Sequence, residues 1–274
     1  MPGSRSVRRR HLLRILLLAT LVYGLACAGL VLSERSMLYV PYAGPTEPAK
    51  AGLPNFTRSS FPASDGVSIP YWEHNAEGPI VLYFHGNGGG LHAFVPALDW
   101  LGAQGLHVVA MEYRGFPGAP GVPGEKALVA DAIALFDVIK ARYPQRPIAI
   151  WGYSLGSGVA VQLAAARKPA ALILEAPFSA TVDRARQMFP LFPVSWLMHD
   201  QYRSRDYIGA VHAPVLILHG AKDSIIPIGL GEALYARASA PKTFKSYPDA
   251  GHLDLIATPA YQDALGFIRE HAAP

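Results

Sequence analysis

Between residues 152 and 156 the chain reads Gly152-Tyr153-Ser154-Leu155-Gly156, a match to G-x-S-x-G. In that pattern a serine stands at a sharp, strained turn from strand to helix, with its hydroxyl lifted clear of the sheet. The glycines have a steric role: at so tight a bend, a β-carbon on either would strike the neighbouring strand or helix. Five residues match by chance in many proteins, so the flanks decide. Before the pentapeptide runs Pro147-Ile148-Ala149-Ile150-Trp151, a short apolar run of buried-strand type. After it, Ser157 to Ala166 is good helix material that ends near Lys168-Pro169. A Gly-rich turn in some other α/β fold is the bland alternative, and the rest of the chain weighs against it.

Working outward, strands and helices alternate. Strands are expected at Pro79–Phe84, His107–Glu112, Pro147–Trp151, Ala170–Leu174, Pro214–Leu218 and Lys242–Tyr247. Helices are expected at Leu91–Ala103, Gly124–Tyr143, Ser154–Arg167, Ile228–Ala238 and Pro259–His271. Upstream, Phe56–Phe61 and Val67–Trp72 read as two strands joined across the turn Ser64-Asp65-Gly66. Short β-branched runs between helices predict an α/β fold, a mostly parallel sheet covered on both faces. One interval breaks the rhythm. Residues 177–211 carry Phe178, Phe189, Phe192, Trp196 and Met198 among prolines and charges, too long for a simple connection and read as a short helical cap over the site.

The 274 residues carry a formal charge of +4, and Arg5, Arg8, Arg9, Arg10 and Arg14 alone exceed it. The folded part is therefore close to neutral and offers no basic face for nucleic acid. The single cysteine, Cys27, excludes an internal disulfide framework and a Cys-based zinc site. Residues 1–10 form a basic tail, and from Leu12 to Leu32 the chain is almost wholly apolar. That is about the ~20 residues a helix needs to cross a bilayer. A dozen Leu, Ile and Val at about −0.5 kcal/mol each outweigh one off-centre Arg14 at about +3. Residues 11–32 thus read as a transmembrane signal-anchor, with the arginines cytoplasmic and the remainder carried across. Ala26-Cys27-Ala28 also fits a small-x-small cleavage site, which would make the segment a signal peptide and the product secreted or periplasmic. The apolar run continues through Leu30-Val31-Leu32, longer than a usual signal core, which favours the anchor. A lipoprotein signal would want a branched apolar residue where Gly24 stands. Residues 33–50 follow as a connector, and 51–274 as the catalytic domain.

A serine hydroxyl becomes a good nucleophile only when a base takes its proton and an acid orients that base. In this kind of sheet the order is Ser, then Asp or Glu, then His. Asp223 directly follows the strand ending His219-Gly220, and His252 follows the last strand in Asp249-Ala250-Gly251-His252; both stand on carboxyl-end loops, where such sheets place their sites. Asp249 and Asp254 sit too near the histidine in sequence, and Glu175 is the second choice of acid. His199 and His212 belong to or border the cap, and His219 reads as structural. The oxyanion needs two N–H donors. One is the amide of Leu155, at a helix N-terminus; the other is assigned to Asn87 in the loop His85-Gly86-Asn87-Gly88-Gly89-Gly90. A phosphate cradle is the rival reading of that loop, but no Lys-Ser/Thr follows.

His85-Gly86-Asn87-Gly88-Gly89, Glu112-Tyr113-Arg114-Gly115, Gly152–Gly156, His219-Gly220 with Asp223, and Gly251-His252 together resemble the α/β-hydrolase superfamily. They are most similar to its membrane-anchored branch of ABHD-type acyl hydrolases and serine-aminopeptidase-like hydrolases, over roughly Tyr39 to the C-terminus. The resemblance implies an eight-stranded sheet, a Ser154, Asp223 and His252 triad, a structural Tyr113-Arg114-Gly115 turn, and no metal or organic cofactor. Phe116-Pro117-Gly118 departs from the shorter aromatic-Gly-Ser step common in relatives. The expected activity is hydrolysis of a carboxylic ester or thioester of an acyl or lipid-like substrate through an acyl-enzyme. A serine peptidase is the alternative, and a membrane-tethered binding protein on an inactive scaffold is a third reading that a complete triad argues against. A dehalogenase would need Asp at 154.

Overall fold

The computed structural model describes residues 3–239 and 241–272; Met1 and Pro2 of the basic tail, Ala240, and Ala273 and Pro274 lie outside the described residues. The sheet strands are β1 (Thr57–Pro62), β2 (Ser68–His74), β3 (Ile80–Phe84), β4 (His107–Met111), β5 (Ile148–Tyr153), β6 (Ala171–Glu175), β7 (Val215–Gly220) and β8 (Lys242–Tyr247). They form one 8-stranded sheet in the order β8-β7-β6-β5-β3-β4-β2-β1. β2 runs antiparallel to β1 and to β4. The other pairs are parallel. The helices are α1 (Gly3–Leu38), α2 (Val95–Ala103), α3 (Glu125–Arg142), α4 (Leu155–Ala166), α5 (Thr181–Met188), α6 (Val194–Leu197), α7 (Ser204–Tyr207), α8 (Ile228–Arg237) and α9 (Ala260–His271).

The central strands are continuous apolar runs because both faces are covered. Their side chains alternate between two cores. Along β5, Ile148 and Ile150 join Leu128 and Leu135 of α3 and Val159 of α4. Ala149 and Trp151 join Leu98 of α2 and Ile268 of α9 on the opposite face. Arg114 is buried and pairs in fork geometry with Asp131 of α3 (2.5 and 2.6 Å) and with Asp65 of the β1–β2 turn (2.6 and 2.9 Å). The Tyr113-Arg114-Gly115 turn therefore ties α3 to the first hairpin.

Two element ends differ from expectation, each for a local reason. The helix expected from Leu91 opens as a 3-10 turn at Leu91–Phe94, and α2 proper starts at Val95 with Pro96 in its first turn, where a missing N–H costs nothing. The connector expected from Ser33 is helical through Leu38. Its Glu34 carboxylate accepts the backbone N–H groups of His199 and Asp200 (both 2.8 Å) and lies 2.9 Å from His199 Nδ1. Docking against the interval between β6 and β7 extends the helix. Beyond it, Val40–Pro41 pair in parallel with Gly88–Gly89.

The sharpest turn, at Ser154, depends on Gly152 and Gly156. A β-carbon on Gly156 would meet the backbone of Phe84 and His85, and one on Gly152 would meet the Gly156 carbonyl and Ala160. Gly156→Ala is expected to lower stability by about 3 kcal/mol through overpacking against backbone. Gly229→Ala, with nothing within 4 Å of the added carbon, is expected to be neutral or to gain up to about 1 kcal/mol. Thermal unfolding of the two variants side by side checks the contrast.

Candidate active site

Ser154 caps the N-terminus of α4 with φ 50 and ψ −116, a backbone conformation that L-residues rarely adopt. Its N–H donates to the Glu175 carbonyl of β6 (2.9 Å), and its own carbonyl accepts Ser157 N–H (2.9 Å) and Ser157 Oγ–H (2.6 Å). These contacts hold the hydroxyl above the sheet edge. There His252 Nε2 lies 3.0 Å from Ser154 Oγ, and His252 Nδ1 lies 2.7 Å from Asp223 Oδ2. All three residues are buried. The loop bearing His252 is tied to the turn by Tyr153, whose hydroxyl donates to the His252 carbonyl (3.0 Å).

Asp223 is held from both sides. Its Oδ1 accepts the N–H groups of Ile225 (2.9 Å) and Ile226 (2.7 Å). His219 Nε2 lies 3.4 Å from Oδ2 and 2.8 Å from the Ile226 carbonyl. Burial by itself would raise the Asp223 carboxyl, but the hydrogen bonds from His219 and His252 and from Ile226 N–H hold it well below the usual carboxylate range. The carboxylate facing His252 is thus ionised across the ordinary pH range.

Glu175 goes elsewhere. Its Oε2 accepts Trp151 Nε1–H (2.9 Å) and Tyr261 O–H (3.3 Å) in the core on the α9 side of the sheet. Burial pushes it up to about 7, against the smaller effect of those two hydrogen bonds. Asp249 is exposed and paired with Lys222, and Asp254 accepts the Gly251 N–H. His199 faces Glu34, and His212 is exposed.

Asn87, Ser154 and Leu155 line one cavity of about 450 Å³. Leu155 is the first residue of α4, so its N–H has no partner within the helix. The Asn87 loop is braced from behind. The Glu112 carboxylate accepts Leu91 N–H (3.0 Å) and Tyr113 N–H (3.1 Å) and lies 3.0 Å from His85 Nε2. The Asn87 carbonyl accepts Val40 N–H at 2.8 Å. Sequence reading missed these braces, and it missed that α1 supplies Leu30, Val31, Glu34, Met37 and Leu38 to the cavity wall. No local signal marked them: Glu34, two residues beyond the apolar run, reads as an ordinary polar side chain.

Comparison with known proteins agrees with this architecture. The family described as "Serine aminopeptidase, S33" matches residues 76–204. An uncharacterised protein of Mycobacterium tuberculosis is 35% identical over 255 residues, covering 91% of each chain. The lysophosphatidylserine lipase ABHD12 of Gallus gallus is 35% identical over 200 residues, covering 64% of this chain and 52% of its own length. The chain thus spans about half of that relative. Among solved structures, the Pyrococcus furiosus esterase Pf2001 superposes with a TM-score of 0.70 at 18% identity, over 86% of this chain and 97% of its own. The chain belongs to the α/β-hydrolase superfamily, in its ABHD-type, serine-aminopeptidase-like branch, and is a hydrolase. Its α1 is long and apolar enough to cross a membrane from Arg8 to Leu38.

The raised Glu175 makes a prediction about stability. The folded state holds that proton more tightly than the unfolded chain, so Glu175 costs no stability at acid pH and an increasing amount as pH rises from the ordinary glutamate range to about 7. Glu175→Gln keeps an acceptor for Trp151 and Tyr261 without the charge. It is expected to exceed the parent in stability at pH 8, by on the order of 3 kcal/mol, and to converge with it at pH 5. Melting temperatures across pH check the sign.

Proposed function

We propose that this chain is a serine hydrolase that cleaves carboxylic ester or thioester bonds of acyl substrates through an acyl-enzyme. The observation that carries the reading is the run of short contacts from Ser154 Oγ to His252 Nε2 and from His252 Nδ1 to Asp223 Oδ2, opening into one cavity. Ser154 attacks the carbonyl carbon while His252 takes its proton. Asp223, held ionised, fixes the imidazole with Nε2 toward the serine and stabilises the imidazolium. The amides of Asn87 and Leu155 receive the oxyanion, the second aided by the α4 dipole. His252 then protonates the departing alcohol or thiol. A water molecule, deprotonated by His252, attacks the acyl carbon and releases the acid and free Ser154.

The matched family's description favours peptidase activity as the second reading. Gripping a substrate amino terminus needs a free carboxylate near the serine. Glu34 lines the cavity, but its oxygens are taken by His199 and Asp200, and Glu175 faces Trp151. Both placements support the ester reading. We read residues 11–32 as the membrane anchor, 33–50 as its connection and 51–274 as the catalytic domain with a cap over 177–211. The arginines before the apolar run support a cytoplasmic N-terminus and a non-cytoplasmic catalytic domain. Contacts of Tyr23 with the cap residues Leu191 and Phe192 support an uncleaved anchor over release near Ala28.

A fluorophosphonate probe is expected to label the wild-type chain, and Ser154→Ala to abolish labelling; labelling that survives removes the nucleophile. His252→Ala is expected to lower turnover of p-nitrophenyl butyrate by on the order of 10⁴-fold or more, against wild-type turnover if His252 is not the base. p-Nitrophenyl esters of increasing chain length, run beside aminoacyl-nitroanilides, separate the readings: esters alone should be turned over at appreciable rates.

A further inference from the structure

The anchor helix is more than a tether. Its last turns present Leu30, Val31, Met37 and Leu38 to the cavity that holds Ser154, facing cap residues such as Met188 and Leu197. This wall is held in place by built contacts. Glu34, buried, is bonded to the backbone of His199 and Asp200. Just beyond the helix, the Tyr39 hydroxyl donates to Asp200 Oδ2 and lies 2.9 Å from the Tyr202 hydroxyl. Helix and cap are one packed unit.

The same helix sets the cavity's height relative to a bilayer. Tyr23 stacks on Phe192 with ring centroids 5.5 Å apart, and its hydroxyl donates to the Leu191 carbonyl at 2.8 Å. At 1.5 Å rise per residue, Tyr23 lies about 10 Å further toward the N-terminus than Leu30. With Leu12 to Leu32 in the bilayer, the cap edge at Leu191 and Phe192 stands level with lipid. That edge is apolar and bare: Leu191 is 81% exposed and Trp196 is 90% exposed. Two such side chains beside a spanning helix fit a lipid neighbour, Trp being favoured at the membrane interface.

We infer that α1 is one wall of the acyl-binding site. A long acyl chain of a bilayer lipid passes from the leaflet between the Leu30–Val31 face of α1 and the cap, reaching Ser154 without crossing water. The substrate class is a long-chain acyl ester drawn from the membrane in which the enzyme is anchored. This deepens the serine-hydrolase reading and rests on it. Each buried methylene should then raise kcat/KM by about fourfold until the cavity is filled, the equivalent of about 0.8 kcal/mol.

The test uses the full-length chain in detergent micelles and in phosphatidylcholine vesicles. Val31→Trp places a ring in the passage. The ratio of kcat/KM for p-nitrophenyl palmitate over p-nitrophenyl acetate, measured in micelles, is expected to fall at least tenfold. Labelling of the same variant with a small fluorophosphonate at the wild-type rate is expected, as the check that Ser154 is still reactive. The double variant Leu191→Ser/Trp196→Ser changes two exposed side chains and spares the core. Its vesicle-to-micelle ratio for a long-chain lysophospholipid is expected to fall at least tenfold. A labelled protein whose chain-length ratio is unchanged by Val31→Trp overturns the wall. An unchanged vesicle-to-micelle ratio in the double variant overturns the lipid route, and decides the matter alone if Val31→Trp does not accumulate. A wild-type chain that no probe labels fails earlier, at the serine reading itself.

Discussion

The backbone at Ser154 is bent into a conformation that costs on the order of 1–3 kcal/mol, and the rest of the site is arranged around that bend. It survives because its surroundings over-determine it. Glu175 accepts the Ser154 N–H from the neighbouring strand, and Ser157 closes on the Ser154 carbonyl from within α4. Gly156 lets α4 lie against the backbone of Phe84. Relaxing the bend would lower the serine toward the sheet and turn the helix N-terminus away from the loop carrying Asn87. Local strain is the condition for bringing hydroxyl, imidazole and helix N-terminus to one point.

Three buried carboxylates show how surroundings separate chemically similar groups. Asp223 meets N–H donors and two imidazoles and stays ionised. Glu175 meets only an indole N–H and a phenol in an apolar layer, so its proton is held far above the ordinary range. Glu112 spends both oxygens bracing the loop between β3 and α2. Burial opposes the charge at both Asp223 and Glu175, and the number of donors decides the outcome between them. Only Asp223 combines an ionised carboxylate with an imidazole that reaches the serine.

The site is assembled from both ends of the described chain's long-range order. Residues just after α1 pair with Gly88–Gly89, so the segment leaving α1 also steadies the loop carrying Asn87. Glu34 and Tyr39 fasten the interval between β6 and β7. A movement of α1 would therefore reach the cavity wall and the loop together.

Much was legible beforehand, for physical reasons. Buried parallel strands must be short apolar runs, helices between them must carry caps and breakers, and a tight strand-to-helix turn must carry glycine; each constraint acts over a few neighbouring residues. Ser154, Asp223 and His252 could be named because each closes or follows a strand at the same sheet edge. The choice of Asp223 over Glu175 was weaker in sequence, since both end strands, and folding separated them: strand alternation turns Glu175 into the layer with Trp151 and Tyr261. The continuation of α1 to Leu38 and its place in the cavity wall had no local signal. Glu34 is an ordinary polar residue until His199 and Asp200, more than 160 positions away, bring their N–H groups to it. Periodicity and turn chemistry are properties of neighbours along the chain, so sequence alone determined the elements and the sheet edge where the site lies. Which side chains meet there, and that the long apolar helix α1 forms one side of it, are properties of neighbours in space, which only the tertiary structure decided.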